Sequence, residues 1–151
     1  MKISGGIEDS EILDAKVQSE LKKGVVSICY NEHANAALLK DGSVATWGNA
    51  DYGGDSSSVQ SKLKGKVVTK IYSTEKAFAA VLKEDGGVVT WGDVNCGGDS
   101  SSVRAKLKKG VDTIYSTDRA FAALLNDGSV VLWENNIRED LHEVNEVFKQ
   151  L

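Results

Sequence analysis

The stretch from Gly53 to Trp91, GGDSSSVQSKLKGKVVTKIYSTEKAFAAVLKEDGGVVTW, is written almost twice in this chain. The second copy, Gly97 to Trp133, reads GGDSSSVRAKLKKGVDTIYSTDRAFAALLNDGSVVLW, and a worn copy precedes both, from Gly5 to Trp47. Matched positions step by 42 to 44 residues: Val17, Val59 and Val103; Leu21, Leu63 and Leu107; Ile28, Ile71 and Ile114; Trp47, Trp91 and Trp133. A period of this length implies a propeller, a solenoid or another array, in which neighbouring units bury one another's apolar faces.

Each copy reads as a short helix followed by three strands. In the second, Asp55 or Ser56 is suited to cap a helix running through Val59 and Leu63, which share a face, and Gly65 offers a left-handed stop. That helix spans about two to three turns, too short to persist alone in water. Ile12 and Leu13 extend the apolar stripe in the first copy and predict a longer helix there. Next come the β-branched and aromatic run Val67 to Tyr72, a polar break at Ser73 to Lys76, and the alanine-rich run Ala77 to Leu82. A turn then leads into Val88 to Gly92. Asp-Gly between apolar runs is a hairpin signal, and it occurs at Asp41-Gly42, Asp85-Gly86 and Asp127-Gly128. Alanines at 77, 79 and 80 predict close approach of neighbouring sheets, with Phe78 or Trp91 filling the space they leave. Asn35 stands where Phe78 stands in the next copy, which predicts a terminal repeat with one face less covered.

The third copy ends differently. Glu134 follows Trp133 where Gly48 and Gly92 follow the other tryptophans, and no Gly-Gly-Asp-Ser-Ser comes after it. Ile137, Leu141, Val144, Phe148 and Leu151 instead share one helical face, predicting a closing helix over 136–151. The expected architecture is mainly β with short helices: three propeller-blade-like repeats, at about 5–48, 53–92 and 97–133, in a single domain over 1–151. The closing helix either caps the array in the same chain or, through Leu141, Val144 and Phe148, meets a second copy.

The phrase Ala-Ala-Leu-Leu-x-Asp-Gly-Ser-Val-x-Thr-Trp-Gly at Ala36 to Gly48, varied at Ala79 to Gly92, resembles the regulator of chromosome condensation repeat. The resemblance covers about 20 residues of each copy. It implies propeller blades, with a strand pair joined at Asp-Gly and closed by Trp-Gly. This chain departs from the family in carrying Gly-Gly-Asp-Ser for the usual Gly-Gln-Leu-Gly, and Ser73 to Lys76 and Ser116 to Arg119 for the usual Gly-x-x-His turn. Three blades do not close a propeller. They form either an open, self-capped array or half of a six-bladed ring made by a homodimer.

The function this supports is a non-catalytic protein-binding module. Equivalent turns carry Glu32-His33, Glu75-Lys76 and Asp118-Arg119, a row of mixed charge on one edge of the array and the candidate partner surface. Two other functions stay open: regulation of a small GTPase by nucleotide exchange, including as a secreted effector, which the family resemblance implies, and self-assembly through the closing helix. No exchange-site residue of the family maps onto this chain. Catalysis has no visible motif, because neither His33 nor His142 is placed by sequence with a nucleophile. No cofactor is expected, and no metal either, since Asp55 and Asp99 serve as helix caps and their spacing matches no cation loop. A net charge of −4 and a pI near 5.2 argue against nucleic-acid and anionic-membrane partners. No signal-peptide core or spanning apolar run is present, and two cysteines at unmatched positions suit reduced thiols, so a cytoplasmic location is expected.

Overall fold

In the computed structural model, residues 14–133 are described. The closing helix expected over 136–151, with Leu141, Val144 and Phe148, lies outside them, as do Gly5, Ile12 and Leu13. Within the described residues stand three antiparallel sheets of three strands, ordered in space as in sequence. The first holds β1 (Val25–Tyr30), β2 (Ala34–Leu39) and β3 (Val44–Gly48). The second holds β4 (Val68–Ser73), β5 (Ala77–Leu82) and β6 (Val88–Gly92), and the third β7 (Val111–Ser116), β8 (Phe121–Leu125) and β9 (Val130–Trp133).

The middle strands show why the sheets stack. Every residue of β2 and β5 is buried, so both faces of each are covered. Small residues make that possible: Ala36 and Leu38 of the first sheet lie in one core with Phe78, Ala80 and Trp91 of the second. Ala77, Ala79 and Val81 of the second sheet meet Phe121, Ala123 and Trp133 of the third in the same way. The register is common to all three sheets. Trp47 faces Asn35 across the ladder, Trp91 faces Phe78, and Trp133 faces Phe121. A bulge interrupts the first strand pair of each sheet at Val25/Ser27, Val68/Lys70 and Val111/Thr113, a device that strengthens local twist.

Main-chain bonds join one blade to the next through the predicted Asp-Gly turns. The Gly42 carbonyl accepts from the Val68 amide at 2.9 Å, and the Gly86 carbonyl from the Val111 amide at 3.0 Å. The first two hairpin tips therefore bond to the start of the first strand of the blade that follows.

The helical segments differ from expectation. Asp14 is extended and its carboxylate accepts from the Val17 amide, so α1 is described from Ala15 to Leu21, while Ile12 and Leu13, which predict a longer helix, lie outside the described residues. In the second copy a 3-10 turn, Ser57–Val59, leads into a single α-helical turn, α2 (Gln60–Leu63). In the third copy Ser101–Leu107 is 3-10 throughout. Asp55 and Asp99 accept from the Ser57 and Ser101 amides at 2.9 Å, a local side-chain bond that competes with regular α-helical winding. Apolar anchors hold these segments against the sheets: Val17, Leu21, Val59, Leu63 and Leu107 are all buried.

Asn35 also departs from expectation. It is wholly buried rather than part-covered, among the largest fully buried side chains.

Candidate protein-binding groove

In the first and third blades the turn between the first and second strand is built by one side-chain oxygen. Asn31 Oδ1 accepts from the His33 and Ala34 amides at 2.8 and 2.9 Å. Thr117 Oγ1 accepts from the Ala120 amide at 3.2 Å in the third blade. The equivalent Thr74 turns its hydroxyl outward to donate to the Cys96 carbonyl at 2.7 Å, as Asn31 Nδ2 reaches the Tyr52 carbonyl at 3.5 Å. The turns are thus pinned to the linkers that follow β3 and β6.

The Trp-Gly motif makes this crossing possible. Gly48 and Gly92 have φ of +112° and +111°, and a Cβ there would lie 2.7 Å from the carbonyl oxygens of His33 and Lys76. Only glycine lets the chain leave the blade directly over the turn. The next amides, Asn49 and Asp93, donate to those same two carbonyls at 2.8 and 2.9 Å.

The expected row of mixed charge is sorted by this geometry. The acids Glu32, Glu75 and Asp118 are exposed and line a groove of about 500 Å³ with Tyr30, Ser73 and Ser116. The three turns meet along it: the Glu75 amide donates to the Asp118 carbonyl at 2.9 Å, and the Ser73 hydroxyl to the Tyr30 carbonyl at 3.3 Å. Tyr30 is 58% exposed, an aromatic ring presented at the mouth.

The cations lie on the other side, toward the linkers. Lys76 Nζ sits 4.8 Å above the Tyr52 ring, whose other neighbour is His33 at 4.7 Å between ring centres. Arg119 stands near Cys96, the counterpart of Tyr52 in the next linker, closely enough to act on its thiol. Of the predicted residues, Glu75 and Asp118 share the groove while His33 and Lys76 share Tyr52. Sequence reasoning missed Tyr30, Asn31, Tyr52 and Thr74. The signal was available for two of them, since Asn31, Thr74 and Thr117 are polar at one repeat position.

The side-chain oxygens following Trp-Gly are engaged by nearby backbone amides. Asn49 and Asp93 accept from the Asp51 and Asn95 amides, and Asp55 and Asp99 from the Ser57 and Ser101 amides, all at 2.8 or 2.9 Å. Serine hydroxyl and amide bonds hold Asp55 and Asp99 below the usual carboxylate range. Burial pushes the Cys29 and Cys96 thiols up, in Cys96 with help from Asp93, so neither is an activated nucleophile.

Three-stranded antiparallel sheets stacked in this way, with linkers crossing over the strand turns, have the fold of consecutive β-propeller blades and resemble those of regulator of chromosome condensation proteins. Three solved structures share this fold. Prp20p from Saccharomyces cerevisiae, described with its binding to Gsp1p and histones, superposes with a TM-score of 0.55 at 20% identity, over 82% of this chain and 34% of that one. A structure of Kap60 bound to yeast RCC1 (Prp20) gives 0.57 at 20% identity, over 81% and 32%. Human WBSCR16 gives 0.56 at 22% identity, over 80% and 36%. The chain thus spans about a third of the length of the structures it matches. No family model matches the chain, and neither does any curated protein.

Proposed function

We propose that this chain is a non-catalytic protein-binding repeat module that holds a basic, extended segment of its partner in the turn groove. The observation that carries this is the convergence of one exposed carboxylate from each blade, Glu32, Glu75 and Asp118, beside the exposed ring of Tyr30. Three like charges fixed on one backbone platform favour a cationic chain running across the blades, with tyrosine as an amphipathic contact. The description of Prp20p as binding histones, which are basic, supports the same class of partner. Raised thiol pKa values, and a His33 ring packed on Tyr52, support the non-catalytic part of the reading.

Titration of a Lys/Arg-rich peptide tests it. The wild-type chain is expected to bind with an affinity that falls as salt is added. Each exposed pair contributes about 0.2–1 kcal/mol, so Glu32→Gln, Glu75→Gln and Asp118→Asn together should weaken binding about tenfold. Unchanged affinity in the triple variant would refute the groove. Regulation of a small GTPase is the second reading, supported by the description of Prp20p as binding Gsp1p. Stimulated release of a fluorescent nucleotide across a GTPase panel would carry it, and a flat panel would remove it.

A further inference from the structure

Two tyrosines at the turn end of the blades carry a lysine over the ring. Lys76 Nζ lies 4.8 Å from the centre of Tyr52, joining the second blade to the first linker. Lys70 Nζ lies 5.2 Å from the centre of Tyr72, whose hydroxyl also bonds that of Thr113 at 3.1 Å. In both cases the negative face of the ring meets a positive charge. Tyr30 differs. Its ring is 58% exposed, and among the described residues no cation and no second ring lies against it.

Two further features set this residue apart. The second and third blades have Ser73 and Ser116 at the matching register position, so the ring is an addition to the repeat and no part of its core. It also stands in the groove of Glu32, Glu75 and Asp118, whose described lining includes no lysine and no arginine. The nearest cations of the chain are engaged on the other side of the turns, Lys76 on Tyr52 and Arg119 beside Cys96. An open ring face in a negative field attracts a cation on both counts.

We propose that Tyr30 makes the groove selective for arginine, with one guanidinium of the partner segment laid on its ring. This rests on the reading of the groove as a site for a basic segment, and it names the residue that segment must present. An ammonium is compact and strongly hydrated, and meets the carboxylates as a point charge. A guanidinium is planar and more weakly hydrated, so it stacks on an aromatic face while its edge N–H groups stay free to bond a carboxylate, here Glu32 of the adjoining turn. Glu75 and Asp118 belong to the blades that carry serine instead, and they accept either cation. The selectivity is therefore confined to the part of the segment that crosses the first blade.

A Gly-Lys repeat peptide and a Gly-Arg repeat peptide of the same length and charge separate stacking from simple attraction. Titrated into the full chain at one salt concentration, the arginine peptide is expected to bind about two- to fivefold more tightly. Tyr30→Phe should keep that ratio, and Tyr30→Leu should bring it to parity, with circular dichroism confirming that both variants are folded. In nuclear magnetic resonance spectra, the δ protons of bound arginine should move upfield with the wild type and Tyr30→Phe but not with Tyr30→Leu. Equal affinity of the wild type for the two peptides would overturn the arginine selectivity and leave the carboxylate groove standing. A preference that survives Tyr30→Leu would also overturn it, by assigning the discrimination to the carboxylates. If neither peptide binds, the groove reading itself falls and this inference with it.

Discussion

Gly53→Ala isolates the contact by which one blade is locked to the next. At Gly53 φ is +106°, and an added Cβ would lie 2.4 and 2.5 Å from Cδ2 and Cε2 of Phe78. Gly65→Ala is the matched control: φ is +76° there, but nothing lies within 4 Å of the added Cβ. Both variants incur the left-handed penalty of about 1–2 kcal/mol. Both also gain the same few tenths from a stiffer unfolded chain, a term that cancels between them. Gly53→Ala alone adds overpacking against a fully buried ring, about 1–3 kcal/mol. At about 2–4 °C per kcal/mol for a chain of this size, Gly53→Ala should melt about 2–12 °C below Gly65→Ala. Thermal unfolding followed by tryptophan fluorescence reads the difference, because Trp91 donates to the Gly53 carbonyl. Adding Phe78→Leu should return part of the loss, a coupling of at least about 0.5 kcal/mol. Equal melting of the two alanine variants, or no coupling to Phe78, would refute the account of the Gly-Gly linker as packed on the Phe78 ring.

Thr74→Val removes the hydroxyl that donates to the buried Cys96 carbonyl, and should cost about 1–3 kcal/mol in urea unfolding while loosening the groove turn. Acid should destabilise the chain through its Asp-Gly hairpins. Asp41 and Asp127 accept from the hydroxyls and amides of Ser43 and Ser129, which holds both below the ordinary 3.8. A depressed folded-state pKa stabilises above the unfolded value and is lost as pH falls through the folded one, so Tm should drop below about pH 4. Ser43→Ala with Ser129→Ala should flatten that drop. Light scattering is expected to give the 16.2 kDa of one chain at all concentrations, the outcome for an open, self-capped array. Leu141→Glu should then lower Tm without changing mass, whereas a stable dimer that the variant dissociates would restore the six-bladed ring.

Much of this fold was legible because its signals are periodic. The Asp-Gly hairpins, the alanine strands and the Trp-Gly closures recur at fixed steps, and a feature written two or three times is hard to mistake for a local accident. What escaped the sequence depends on where side chains point. Glu75 and Lys76 are adjacent in the chain, yet consecutive residues of a tight turn splay apart, so one enters the groove and the other covers Tyr52. No spacing rule separates them. The winding of the second and third helical segments escaped the sequence because helix propensity is weak over one turn, and Asp55 and Asp99 bond their local amides first. Asn35 was misread for a different reason: polarity suggests exposure, but its ladder position opposite Trp47 fixes it between packed elements whatever its chemistry.

The junction between blades explains the divergence of the third copy. Thr46 and Thr90 on the outer strands bond the hydroxyls of Ser56 and Ser100, at 2.9 Å in each case, tying each blade to the linker that follows. The third blade has Leu132 in that position, partly exposed, with Val130 exposed beside it. Gly42 and Gly86 each touch the blade that follows, whereas nothing lies within 4 Å of a Cβ built at Gly128. Polar joints are thus replaced by an apolar surface in step with the loss of Gly-Gly-Asp-Ser-Ser, which suits contact with the apolar face of a helix rather than with another linker. Leu132→Thr tests that substitution. If a helix bearing Leu141 and Phe148 lies on this surface, the new hydroxyl is buried without a partner and should cost about 1–3 kcal/mol in urea unfolding. If the surface is open to water, the change should stay within about 0.5 kcal/mol, and the capping assignment fails.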